Sequence, residues 1–87
     1  MHASYHAGCG VVVRVYTLDK NEKIAKHQDP FQHTTSVARG RTEVEVYGRG
    51  TFEMRMRDAP RNLPADIDHE IRALEDDTIV INICPLP

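Results

Sequence analysis

The sequence has no tryptophan, only two cysteines, and no apolar run approaching the roughly 20 residues that cross a bilayer as a helix. A membrane-spanning segment is therefore not expected. Residues 1–10 are broken by polar side chains where a secretion signal needs a continuous apolar stretch, so a cytoplasmic location is the expectation. A block of single-sign charge is missing too. Eleven Lys and Arg against thirteen Asp and Glu give a formal charge of -2, spread along the chain without a basic stripe to follow a phosphate backbone. Neither nucleic acid nor a membrane is an expected partner.

Cys9 and Cys84 lie near opposite ends, and neither belongs to the Cys-x-x-Cys pairs that mark zinc or dithiol redox chemistry. Free thiols suit a reducing compartment, while a bridge stays open if the terminal strands lie side by side. There is no glycine-rich phosphate loop and no Ser, His and Asp arrangement, which removes most metal-free catalytic schemes. At 87 residues the chain is expected to be one domain, with residues 1–8 as a flexible tail. A domain of this size buries only about 60% of the surface its unfolded chain exposes, so a homodimer is expected to bury more.

What the sequence does have is period-two alternation. Val44 and Val46 alternate with Glu43 and Glu45, and Phe52, Met54 and Met56 alternate with Glu53, Arg55 and Arg57. Gly48-Arg49-Gly50 between them reads as a hairpin loop, and the charged residues as a solvated sheet face. Val11–Leu18 is rich in β-branched residues and ends at Asp19-Lys20-Asn21, a turn into a short strand ending near His27. Further strands are read over residues 33–38 and 78–83, the last with Ile79, Ile81 and Ile83 on one face before Pro85 and Pro87. Tyr16 and Tyr47 are read as sheet-surface or interface aromatics. The pattern predicts seven or eight strands in a sandwich or barrel. Residues 66–75 fit two patterns: Ile67, Ile71 and Leu74 at helical spacing, or His69, Ile71 and Ala73 on one face of a strand.

Five histidines stand in the sequence. His2 and His6 fall in the expected tail. His33 shares the parity of Thr35 and Val37, and His69 that of Ile71, so both are predicted to point into the interior, where an imidazole needs hydrogen bonds or a metal. His27 shares a parity with Asp29.

The segment KHQDPFQHTTSVARG resembles the first cupin motif, with His27 at the first histidine position, Asp29 at the second, His33 at the glutamate position and Gly40 at the closing glycine. LPADIDHEIRA is similar to the second motif, with Pro64, Asp66 and His69 at the proline, glycine and histidine positions. Asp29 replaces a histidine, His33 the glutamate, Asp66 a glycine, and Ala73 stands where Asn is common. This resemblance, over roughly residues 22 to 83, implies an all-β antiparallel jelly-roll barrel with His27, Asp29, His33 and His69 around one metal site. Imidazoles with a carboxylate suit a divalent transition metal: zinc, iron, manganese or nickel. The reading that follows is a small stand-alone cupin binding such an ion and a small organic ligand. The alternatives are a metal-dependent enzyme, dioxygenase- or isomerase-like, on a small oxygenated substrate, and a metal-free dimeric binding module whose histidines are structural.

Overall fold

A computed structural model describes residues 1–86; Pro87, expected to help end the last strand, lies outside them. Among the described residues there is no helix, and nine strands follow one another: β1 (His2–Gly8), β2 (Val11–Leu18), β3 (Lys23–His27), β4 (His33–Arg39), β5 (Arg41–Val46), β6 (Gly50–Arg55), β7 (Arg61–Leu63), β8 (His69–Ala73) and β9 (Thr78–Pro85). They form two antiparallel sheets, ordered β1-β2-β9-β4-β7 and β3-β8-β5-β6. The all-β barrel expected from the alternation is the fold observed.

The core lies between the inner faces of the two sheets. Leu18, Val44, Ile71 and Val80 are fully buried there, each contributing roughly 1.5–3 kcal/mol by leaving water. On β9 the inward residues are Thr78, Val80, Asn82 and Cys84, so Ile79, Ile81 and Ile83 lie on the outer face. Tyr16, expected on a sheet surface, is instead buried beside Leu18, because Val11–Leu18 is apolar at nearly every position and hides its own alternation. Met56, expected on the buried face of its strand, lies beyond β6 and is exposed.

Residues 1–8 are not a tail: seven of them form β1, paired with β2 from His2 opposite Thr17 to Gly8 opposite Val11. A two-residue turn causes this. Cys9 and Gly10 have φ of 51° and 79°, the pair of left-handed conformations that closes a tight hairpin. Since β1 and β9 occupy both edges of β2, the Val11–Val15 stretch has no free edge with which to pair across an interface. Cys9 and Cys84 are free thiols, the first exposed and the second buried with its Sγ 3.8 Å from the Val12 carbonyl oxygen.

The ambiguous segment 66–75 resolves as strand. β8 is hydrogen-bonded on one side to β3 and on the other to β5, and Asp66 at φ 59° breaks any helix at its start. Tertiary pairing overrides the helical spacing. Gly40 is fixed by two constraints, a φ of 82° and the approach of Thr78, whose Oγ1 would stand 2.5 Å from an added Cβ.

Candidate metal centre

The end of β3, the start of β4 and the start of β8 meet at one end of the barrel. His27 is the last residue of β3 and stands opposite His69, the first residue of β8. Ile24 is opposite Ile71, so three steps along β3 match two along β8. That extra residue is a bulge, and it has a consequence for the site. By strict alternation Ile24 and His27 would face opposite sides of the sheet; the inserted residue turns His27 to the side of His69. Asp29 follows in the loop to β4, held by its carbonyl oxygen, which accepts a 2.7 Å hydrogen bond from the Asp66 backbone N–H. That bond ties the two motif-bearing turns together. The left-handed φ at Asp66 is the conformation a glycine would supply, which explains how an aspartate serves at this point.

The structure brings all four expected residues together. His27 Nε2 lies 3.1 Å from His69 Nε2, although 42 residues separate them in sequence. Asp29 Oδ2 lies 3.6 Å from His27 Nε2, 3.9 Å from His69 Nε2 and 3.5 Å from His33 Nδ1. The His33 and His69 rings stand 4.9 Å apart, and those of His27 and His69 4.3 Å. His69 is fully buried, His33 nearly so, and His27 a third exposed. Donor atoms of His27, Asp29 and His69 all fall within 4.8 Å of one another; His33 stands behind this trio. His2 and His6 are exposed on β1 and take no part.

The tautomers follow from the backbone. His27 Nδ1–H donates to the Ala25 carbonyl at 2.7 Å, and His69 Nδ1–H donates to the Ile67 carbonyl at 3.2 Å. A carbonyl only accepts, so each Nδ1 carries a proton, and in a neutral ring Nε2 is then the atom left to accept or to bind a metal. Two Nε2 atoms 3.1 Å apart, with a carboxylate oxygen beside them, come together around a positive charge, a shared proton or a metal ion. His33 adds to this, since neither of its buried ring nitrogens has a hydrogen-bond partner; its 3.5 Å approach to Asp29 is not a formed hydrogen bond. Burial pushes the His33 pKa down to about 4, helped by the neighbouring His69, against the attraction of Asp29. Burial also lowers that of His69, as does His27. Both are therefore neutral near pH 7, the form in which imidazole binds metal. The donor set fits a borderline divalent ion, with backbone carbonyls orienting two of the ligands from behind.

Beside the cluster is a cavity of about 160 Å³. Val46 and Leu63 line it, and these are the strand partners of His69 and His33. Arg61, its guanidinium 3.8 Å from the centre of the Phe52 ring, closes its outer side.

No family model and no curated protein matches the sequence. Solved structures do match the fold. The chain is similar to a cupin superfamily protein from Desulfitobacterium hafniense (TM-score 0.83, 10% identity, 99% of this chain and 77% of that one). It is likewise similar to a Cupin 2 conserved barrel domain protein from Leptotrichia buccalis (TM-score 0.83, 21% identity, 98% of this chain and 40% of that one). An RmlC-like cupin protein from Desulfovibrio desulfuricans gives a TM-score of 0.79 at 18% identity, over 97% of this chain and 81% of that one. The chain has the cupin fold, as a single small barrel of two sheets.

Proposed function

We propose that this chain is a small cytoplasmic cupin that binds one divalent transition metal through His27, Asp29 and His69, with His33 as the fourth member of the set, and a small organic ligand beside it. The observation that carries this reading is the convergence of donor atoms of His27, Asp29 and His69 within 4.8 Å of one another, the two Nε2 atoms 3.1 Å apart and each Nδ1 turned to a carbonyl. Zinc, iron, manganese and nickel all suit such donors. Bound there, the ion supplies Lewis-acid polarisation of a ligand oxygen. The cavity beside Val46 and Leu63, about 160 Å³, has room for a small molecule. A second reading, a metal-dependent enzyme acting on a small oxygenated substrate, is favoured by the composition of the trio: two histidines and one carboxylate hold an ion while leaving positions open.

Elemental analysis of protein purified without a histidine tag or chelator, with calorimetric metal titration of the wild type and His69→Ala, is the test. One ion per chain in the wild type, and affinity reduced at least 100-fold in His69→Ala with the strand signal in circular dichroism retained, is expected. Equal affinity in the two proteins, or no binding by the wild type, would sink the reading and leave the metal-free dimeric module. Turnover on candidate substrates separates enzyme from binding protein.

The same reading includes a homodimer. Val11, Val13 and Val15 of β2 share the outer face of the five-stranded sheet with Ile79, Ile81 and Ile83 of β9, a contiguous patch of β-branched side chains. Such a flat apolar face suits packing against its own copy about a two-fold axis. Light scattering at micromolar concentration is expected to give the dimer mass, and Ile81→Glu the monomer mass.

A further inference from the structure

The cavity at the histidine end lies where the two sheets come apart. β6 and β7 are edge strands, one in each sheet, and residues of both line it. Val46 and Leu63, both buried, and the half-buried Phe52 give it an apolar wall; Arg49, in the turn between β5 and β6, and Arg61, the first residue of β7, line it as well. Its volume of about 160 Å³ is close to the roughly 150 Å³ of an apolar cavity that holds a benzene ring.

Two cations line this cavity and no carboxylate does. Elsewhere arginines meet glutamates: Arg41 pairs with Glu53 and Glu75, Arg55 with Glu53, and Arg72 with Glu43. Among the described residues Arg49 and Arg61 make no ion pair. An unpaired arginine on an open surface is ordinary. Two that share one cavity without an acid make that cavity a place of positive potential, which an anion relieves. Arg61 is also held in position, its Cζ 3.8 Å from the centre of the Phe52 ring. The ring covers the face of the guanidinium, and the N–H groups, which lie in its plane, stay free to donate. Asn62 Oδ1, on the same lining, already accepts the Thr34 hydroxyl at 2.7 Å, so the lining side chains chiefly offer donors.

We propose that this cavity binds a small monocarboxylic acid, its hydrocarbon part against Val46, Phe52 and Leu63 and its carboxylate on the Arg61 guanidinium, with Arg49 as the second cation. This names the class of the small ligand in the proposed function, and rests on that reading for the cavity being the ligand's place but not for the ion. An arginine fork matches a carboxylate with two parallel hydrogen bonds. A neutral amide leaves both guanidinium charges unmatched, and inorganic phosphate leaves the apolar wall uncovered.

The test is a titration of the uniformly labelled, metal-free full chain followed by proton–nitrogen correlation spectra, with butanoate and benzoate as probes and butanamide and benzamide as uncharged controls. At least one acid is expected to give saturable shifts centred on the amides of Val46, Phe52 and Leu63, with its amide binding at least tenfold more weakly. Arg61→Gln is expected to weaken that acid at least tenfold, Arg61→Lys to recover part of the loss, and Arg57→Gln, outside the cavity, to leave binding within twofold. The same titrations after one equivalent of zinc separate this proposal from the metal reading. Acid binding that depends on Arg61, in either form of the protein, upholds the proposal, and failure to take up zinc removes the metal reading alone. No saturable shifts with either acid in either form, shifts centred elsewhere, equal affinity for acid and amide, or equal acid affinity in wild type and Arg61→Gln would overturn it.

Discussion

The two ends of the barrel treat their buried polar groups in opposite ways. At the end formed by the starts of β5 and β9, Thr42 Oγ1–H donates to the Met54 carbonyl at 3.2 Å and Thr78 Oγ1–H to the Glu75 carbonyl at 2.8 Å. Both hydroxyls are satisfied by the fold itself. At the other end both ring nitrogens of His33, and Nε of Arg14 one row deeper, lack partners, and the Nε2 atoms of His27 and His69 face each other at 3.1 Å. Buried polar groups are nearly always paired in folded proteins, so a cluster of exceptions confined to one end marks where the fold is completed by something it binds. One end is closed by its own hydrogen bonds; the other gathers the residues of the proposed metal site.

Gly40→Ala breaks the first end and gives the largest effect. The substituted residue has to hold a φ of 82° while its Cβ lies 2.5 Å from Thr78 Oγ1 and 3.2 Å from Thr78 Cα, so β9 must shift. A loss of about 2–4 kcal/mol is expected, a large fraction of the stability of a small domain, measured by urea unfolding at pH 7. Stability unchanged within about 0.5 kcal/mol would mean that this end is not tightly specified.

Acid probes the other end with a somewhat smaller effect. His33 has a folded pKa lowered from 6.5 to about 4, so the unfolded chain takes up its proton first as the pH falls. Its contribution is intact above pH 6.5 and is lost progressively on the way to pH 4. For metal-free protein this amounts to about 2 kcal/mol at pH 5. Urea unfolding at pH 7 and pH 5 should show the loss in the wild type and a much smaller one in His33→Phe. Equal pH dependence in both proteins would remove His33 as the cause.

Much of this contrast was legible in the sequence, and the illegible parts have physical causes. The inward parity of His33 and His69 could be read because β4 and β8 alternate cleanly, with burial at His33, Thr35 and Val37 and at His69, Ile71 and Ala73. The paired motif spacings suggested that residues 42 apart would meet. β1 escaped notice because its burial follows no alternation and its order comes from the ladder to β2. β7 has three residues, too few to display a period. Arg14 was hidden by its neighbours: in Val11–Leu18 the apolar residues fill both faces, and only the buried Tyr16 and Leu18 reveal which side is inward. The bulge before His27 could not be read from β3 alone, since it is defined by the register against β8.

The central claim, that the histidine end is built around a cation, is tested most directly by the imidazole nitrogens themselves. Long-range proton–nitrogen correlation spectra of uniformly labelled, metal-free protein at pH 7 should show His27 and His69 protonated at Nδ1 and bare at Nε2, as their bonds to the Ala25 and Ile67 carbonyls require. One equivalent of zinc should then move both Nε2 resonances and leave both Nδ1–H signals in place. Protonation at Nε2 in the metal-free protein, or Nε2 resonances unmoved by zinc, would contradict the account.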